Sequence, residues 1–202
     1  MADLSAIVFS PQNVAPKKDH LDLIRASLNR HETLSPLRDA LLNLPKTWEL
    51  LANARPELST LKKGKAYTNI FAGWILYGET LELEKTRSGI VTLPLLTILH
   101  IVQYYEYLQV LGIRHAELLR TVQGGIQGYC IGLMAALVVS TSETETDLVN
   151  NAVNAIRITL GIAAFGEIGC YSSEPCSTTM AVRLRSGAEG DEITRVFPQV
   201  ST

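Results

Sequence analysis

Histidine and cysteine are scarce in this 202-residue chain: four histidines stand at positions 20, 31, 100 and 115, and three cysteines at 130, 170 and 176. An odd number of scattered cysteines builds no disulfide framework. Cys170 and Cys176 have no second pair to complete a zinc site, so no metal is expected. Neither sign of charge dominates, because 18 Lys and Arg face 20 Asp and Glu for a formal net charge of -2. That balance supplies no basic stripe for nucleic acid or for an anionic membrane. The start, Met1-Ala-Asp-Leu-Ser, lacks a basic leader followed by an apolar core. The apolar stretch 93–113 is interrupted by His100, Gln103, Glu106 and Gln109, so no run of membrane-spanning length is expected and the chain reads as soluble and cytoplasmic. There is no internal repeat and no low-complexity tract. The length suits one domain with a substantial core.

What is present centres on Gly128-Tyr129-Cys130-Ile131-Gly132, with Gly124 and Gly125 before it and the apolar run 133–139 after it. A nucleophile presented on a sharp strand-to-helix turn needs residues without a side chain on either side, and glycine supplies them. The run 133–139 then reads as a buried helix whose N-terminus lies under the sulfur. Its amides and dipole favour thiolate over thiol, and the Ile131 amide is left to donate to an oxyanion. Taken alone, the same five residues also fit an inert packing cysteine.

The remaining pattern is that of an α/β chain rich in helix. Ser5 to Phe9 reads as a first buried strand, followed by the loop Pro11-Gln12-Asn13 at its C-terminal end, where open α/β sheets place functional groups. Apolar residues at three- and four-residue spacing between Lys18 and Leu58 predict three short amphipathic helices broken at Pro36, Pro45 and Pro56. A polar link with Lys62, Lys63 and Lys65 follows, then a helix over 69–83 interrupted at Gly78. The strongest helix is expected from Leu93 to Gly112, started by Thr92 and Pro94 and buried on several sides. Ser142-Glu-Thr-Glu145 reads as a capping box for a helix striped with Leu148, Ala152, Val153, Ile156 and Leu160. After a loop from Cys170 to Ser177, residues 178–185 alternate as a half-buried strand. His20 and His31 lie in polar surroundings and read as solvated.

The stretch GYCIGLMAALVVSTS, preceded by LPLLTILHIVQYYEYL and by FSPQN, resembles the starter-unit acyltransferase domain at the front of fungal non-reducing polyketide synthases, a cysteine variant of the malonyl-transferase fold. The resemblance runs from about Ile7 to about Leu184. It implies a malonyl-acyltransferase-like core of α/β-hydrolase type over 1–170, with 171–202 as the incomplete beginning of a small ferredoxin-like subdomain. It also implies Cys130 as nucleophile, with the Gln12 and Ile131 amides as oxyanion hole; SPQN stands where relatives usually have GDQT. Tyr129 and His100 would line the substrate tunnel, and Arg157, the single arginine of the helix after the elbow helix, would be the counterpart of a substrate-binding arginine. The elbow helix itself offers no cation, which favours a neutral monoacyl starter. The implied substrate is acyl-CoA or a phosphopantetheine thioester on an acyl carrier protein, with no bound cofactor, and the implied partners include downstream polyketide synthase domains.

One component is missing. A cysteine near its reference pKa of about 8.5 is only a few per cent thiolate at neutral pH, and the resemblance implies a partner histidine well beyond the elbow. No histidine follows Cys130. Three expectations stand side by side: the chain is the front of a larger protein, it is a truncated chain without transfer activity, or His100 or His115 serves as base. Correspondingly, the function reads as starter-unit acyl transfer, with a non-catalytic docking module and a thioesterase-like hydrolase as alternatives.

Overall fold

In the computed structural model of the protein, the described residues are 6–11, 16–86 and 88–171. In chain order they form β1 (Ile7–Phe9), α1 (Lys18–Arg30), α2 (Ser35–Leu42), α3 (Leu44–Ala54), α4 (Gly64–Ala72) and α5 (Leu83–Thr86). There follow α6 (Gly89–Leu111), α7 (His115–Thr121), β2 (Ile126–Gly128), α8 (Gly132–Ser140) and α9 (Glu145–Tyr171). Short 3-10 turns occupy Glu32–Leu34 and Pro56–Thr60, and a π turn occupies Gly73–Tyr77. The expected strand at 178–185 and nearly all of the expected 171–202 subdomain lie outside the described residues.

Prolines begin helices here rather than break them. Pro36 and Pro45 occupy the first turns of α2 and α3, and Pro56 opens its 3-10 turn; a missing N–H removes no hydrogen bond at such positions. Pro94 behaves differently, since α6 starts a turn before the expected Leu93 and carries Pro94 inside it. The start is set by Ser88, whose Oγ accepts from the Ile90 amide at 3.2 Å and donates to Glu167 Oε1 on α9 at 2.6 Å. This N-cap is tertiary, completed by a residue far along the chain. The box at the head of α9 is also displaced from the expected Ser142/Glu145 pair. Thr144 and Asp147 form it, with the Asp147 amide donating to Thr144 Oγ1 at 3.1 Å and the Thr144 amide to Asp147 Oδ2 at 3.1 Å.

The core lies between α6 and α9, where Leu95, Ile98 and Ile101 meet Leu148, Ala152, Ile156 and Leu160, all without exposure. α1, α4 and α8 cover further sides of α6. α9 corrects one expectation, because Glu145–Ile168 is long and apolar enough by composition to cross a membrane; half of its most apolar stretch is nevertheless buried within the fold. A helix enclosed on several sides by its own protein acquires that composition too.

β1 and β2 form a two-stranded parallel sheet in which Ile7 pairs with Ile126 and Phe9 with Gly128, and α8 packs on both strands. Parallel strands require a crossover connection, and here α1 through α7 all lie within it. The consequence is positional: both strands finish at the same edge, which brings the residues after Phe9 beside those after Gly128.

Two substitutions on α9 test the placement of the core. Leu160→Ala, at a fully buried position, should cost about 2–5 kcal/mol in urea unfolding. Ile162→Ala, at a side chain 53% exposed, should cost less than about 1 kcal/mol.

Candidate thiol site at the strand-to-helix turn

Between the end of β2 and the start of α8 the backbone reverses over three residues. Cys130 has φ 53, the sole positive φ of a non-glycine residue among those described. That left-handed conformation costs a β-carbon-bearing residue about 1–3 kcal/mol and persists only where the surroundings impose it. The imposition is visible in the hydrogen bonds: the Tyr129 amide donates to Phe9 O at 3.1 Å, the Gly132 amide to Tyr129 O at 2.9 Å and the Leu133 amide to Cys130 O at 3.0 Å. Cys130 is thus strung between β1 on one side and the first turn of α8 on the other.

The flanking glycines are required by space. A Cβ on Gly128 would lie 2.6 Å from Leu133 Cα and would also strike the Gly132 carbonyl. A Cβ on Gly132 would lie 2.8 Å from both Phe9 C and Ser10 O. All of these are backbone atoms, which cannot rotate aside as a side-chain tip can. The turn therefore crosses itself at Gly128 and crosses the end of β1 at Gly132.

The thiol so presented is exposed and free. Ile131 is the N-cap of α8, and its N–H has no acceptor among the described residues, whereas the Gly132, Leu133 and Met134 amides are all engaged. One donor at the helix start thus remains without an acceptor, on the residue that follows Cys130. Gln12, expected to supply the second, lies outside the described residues; the Ser10-Pro11 segment leading to it abuts Gly132. Tyr129 stands 56% exposed next to the thiol, with its hydroxyl 3.5 Å from Gln127 Oε1.

The histidines are disposed elsewhere. His115 is fully buried, with Nε2 2.9 Å from Ser142 O and Nδ1 2.8 Å from the Tyr104 hydroxyl. A carbonyl only accepts, so Nε2 carries the hydrogen and Nδ1 accepts from Tyr104. Both ring nitrogens being committed, His115 is not available as a base for Cys130, which corrects that expectation. Burial, with a smaller contribution from the Glu145 charge, pushes the Tyr104 phenol far above its ordinary value. His31 lies 2.9 Å from Glu106 Oε1, which Arg30 also reaches at 2.8 Å, and His20 is exposed. None of the four imidazoles hydrogen-bonds the Cys130 thiol.

His100 is buried in α6 against Phe9, with ring centroids 5.8 Å apart. Its Nδ1 has no hydrogen-bond partner among the described residues, and burial lowers its pKa. Arg157 is not part of the thiol turn, since it lines a groove with residues of α2 and α3. Among the described residues no group of three or more His, Cys, Asp or Glu could hold a metal ion. Sequence reasoning missed the Tyr104–His115–Ser142 chain, whose members come from α6, α7 and the α8–α9 loop. No linear spacing marks it.

Over residues 55–182 the chain matches the family described as "Starter unit:ACP transacylase in aflatoxin biosynthesis". It is 48% identical over 195 residues to the non-reducing polyketide synthase ascC of Acremonium egyptiacum and 46% identical over 194 residues to the non-reducing polyketide synthase stbA of Stachybotrys bisbyi. To the methylphloroacetophenone synthase of Cladonia uncialis it is 32% identical over 203 residues. These similarities cover 96%, 96% and 98% of this chain, which spans 9%, 9% and 8% of the three relatives' lengths.

Two measurements check the site. Gly132→Ala should lower unfolding stability by about 1–3 kcal/mol through overpacking against β1, whereas Gly161→Ala, which meets nothing within 4 Å inside α9, should be neutral or stabilising by up to about 1 kcal/mol. His100 gives a pH dependence. Because its folded pKa lies below the ordinary value near 6.5, the unfolded chain takes up a proton that the folded chain refuses. Stability should therefore fall as pH drops below about 6.5 towards the folded pKa. In His100→Phe, which keeps an aromatic ring against Phe9, that part of the slope should vanish from urea midpoints measured between about pH 5 and 7.

Proposed function

The chain belongs to the starter unit:ACP transacylase family, and from that premise we propose that Cys130 is the residue on which an acyl starter is held during transfer. The observation that carries the reading is the left-handed Cys130 between two glycines that have no room for a Cβ. A protein that used this cysteine only for packing would have no need to hold it exposed on a strained turn.

The arriving substrate is a thioester, either acyl-CoA or an acyl group on the phosphopantetheine of a carrier protein. The Cys130 sulfur, as thiolate, adds to the carbonyl carbon, and the oxyanion accepts a hydrogen bond from the Ile131 amide, with the Gln12 amide as second donor. Collapse expels the pantetheine thiolate, which takes up a proton. A second pantetheine thiol, on a carrier domain of a polyketide synthase, then attacks the Cys130 thioester and releases the enzyme sulfur. One thioester replaces another, so the exchange is nearly balanced in free energy and the protein need only lower barriers and keep water out. No cation lies in α8, and Arg157 is placed elsewhere, which supports a neutral monoacyl starter.

No proton acceptor is assigned among the histidines: His115 is committed to Tyr104 and Ser142, and His100 is buried against Phe9. That same observation favours one second reading, a module that binds carrier proteins without transferring acyl groups.

Incubating the full chain with an isotope-tagged saturated acyl-CoA and weighing the intact protein tests the proposal. A stable adduct of one acyl group that disappears in Cys130→Ala is the expected result. Rapid appearance of free acid with no accumulated adduct would mark a hydrolase, and no adduct together with no acid would leave the binding module.

A further inference from the structure

α2, α3 and α9 enclose a groove of about 690 Å³ whose lining residues include Asp39, Asn43, Lys46, Leu50, Val153 and Arg157. None of its lining residues comes from β1, β2 or α8, so it is separate from the thiol turn. Its charges are unequal in state. Asp39 is matched by Arg38, whose Nε lies 3.5 Å from Oδ1. Lys46 on the α3 wall and Arg157 on the α9 wall make no ion pair or hydrogen bond among the described residues. Leu50, which lines the same groove, stands 63% exposed.

Past Arg157, α9 also carries an exposed apolar strip. Ile158, Ile162 and Phe165 recur at helical spacing and are each about half exposed. The far end is marked by Arg55, just past α3, whose guanidinium lies 6.0 Å over the Phe165 ring. From Asn150 to Phe165 the surface follows about 22 Å of helix, the length of roughly four turns of a partner helix.

Whatever covers this surface must satisfy both features. Apolar residues are needed over Leu50, Ile162 and Phe165. A neutral partner would also remove water from Lys46 and Arg157 without supplying a counter-charge, and sealing unpaired charges is unfavourable. We propose that the groove docks an amphipathic helix of a partner protein, with its leucine-like face on the strip and carboxylates on its flank over Lys46 and Arg157.

The test uses the full chain and a fluorescently labelled synthetic amphipathic peptide of about four helical turns, with leucines on one face and glutamates on the flank. Matched versions carry glutamine or lysine in place of glutamate. By anisotropy the acidic peptide should bind about five- to tenfold more tightly than the glutamine version, and added salt should narrow the difference. Lys46→Glu combined with Arg157→Glu should reverse the preference towards the lysine peptide, a gain that also shows the variant to be folded. Leu50→Ala should weaken all three. Equal binding of the acidic and glutamine peptides, or a preference unchanged by the double substitution, would overturn the proposal. So would self-association of the chain abolished by the same substitutions, which would give the groove to a second copy. No thioester enters the measurement, so its outcome is independent of the chemistry at Cys130.

Discussion

Phe9 is the residue through which the body of the fold reaches the thiol. Its ring lies against His100 and Tyr104 of the central helix α6, and its carbonyl oxygen receives the amide of Tyr129. The same carbonyl group fills the space that a side chain on Gly132 would need. One buried residue thus couples the packing of α6 to the backbone path around Cys130. A left-handed cysteine is a local cost, and it is met by contacts that belong to the core.

The other end of α8 is held in an equally non-local way. Ser142 donates to Val138 O within the end of α8 and its carbonyl accepts from His115, while the His115 amide donates to Glu145 at the start of α9. α8 is therefore fixed at its head by the sheet and at its tail by a buried imidazole. The start of α8 has little freedom to shift its amides, and donors act most strongly on developing charge where they are already aimed.

The parts of this arrangement that were legible in the sequence are those where backbone approaches backbone. Such approaches exclude side chains, and glycine records the exclusion at 128 and 132. Helices were legible from apolar spacing, and the cysteine from its place between them. The misread features share another cause. Pro94 is a strong local sign of a helix start, yet Ser88 with Glu167 sets the start of α6, and Glu167 is visible only once α6 and α9 are packed. The box at 142–145 gave way to 144–147 because the Ser142 hydroxyl donates to Val138 O and the Glu145 carboxylate accepts from the His115 amide. Nothing within a short window reports that Tyr104, His115 and Ser142 meet. Arg157 was placed by its element correctly on the helix after α8, but its direction towards α2 and α3 is a property of the bundle.

The strand pairing has a consequence for how the protein is made. Ile7 meets Ile126, so the sheet closes a loop that contains most of the helices, and contacts of such long separation form slowly unless the intervening chain has already condensed. During synthesis the first strand has no partner until α1 through α7 have emerged. The bend that displays Cys130 relies on the Tyr129 amide reaching Phe9 O, so an emerging chain lacks that bond until both ends of the loop have been made.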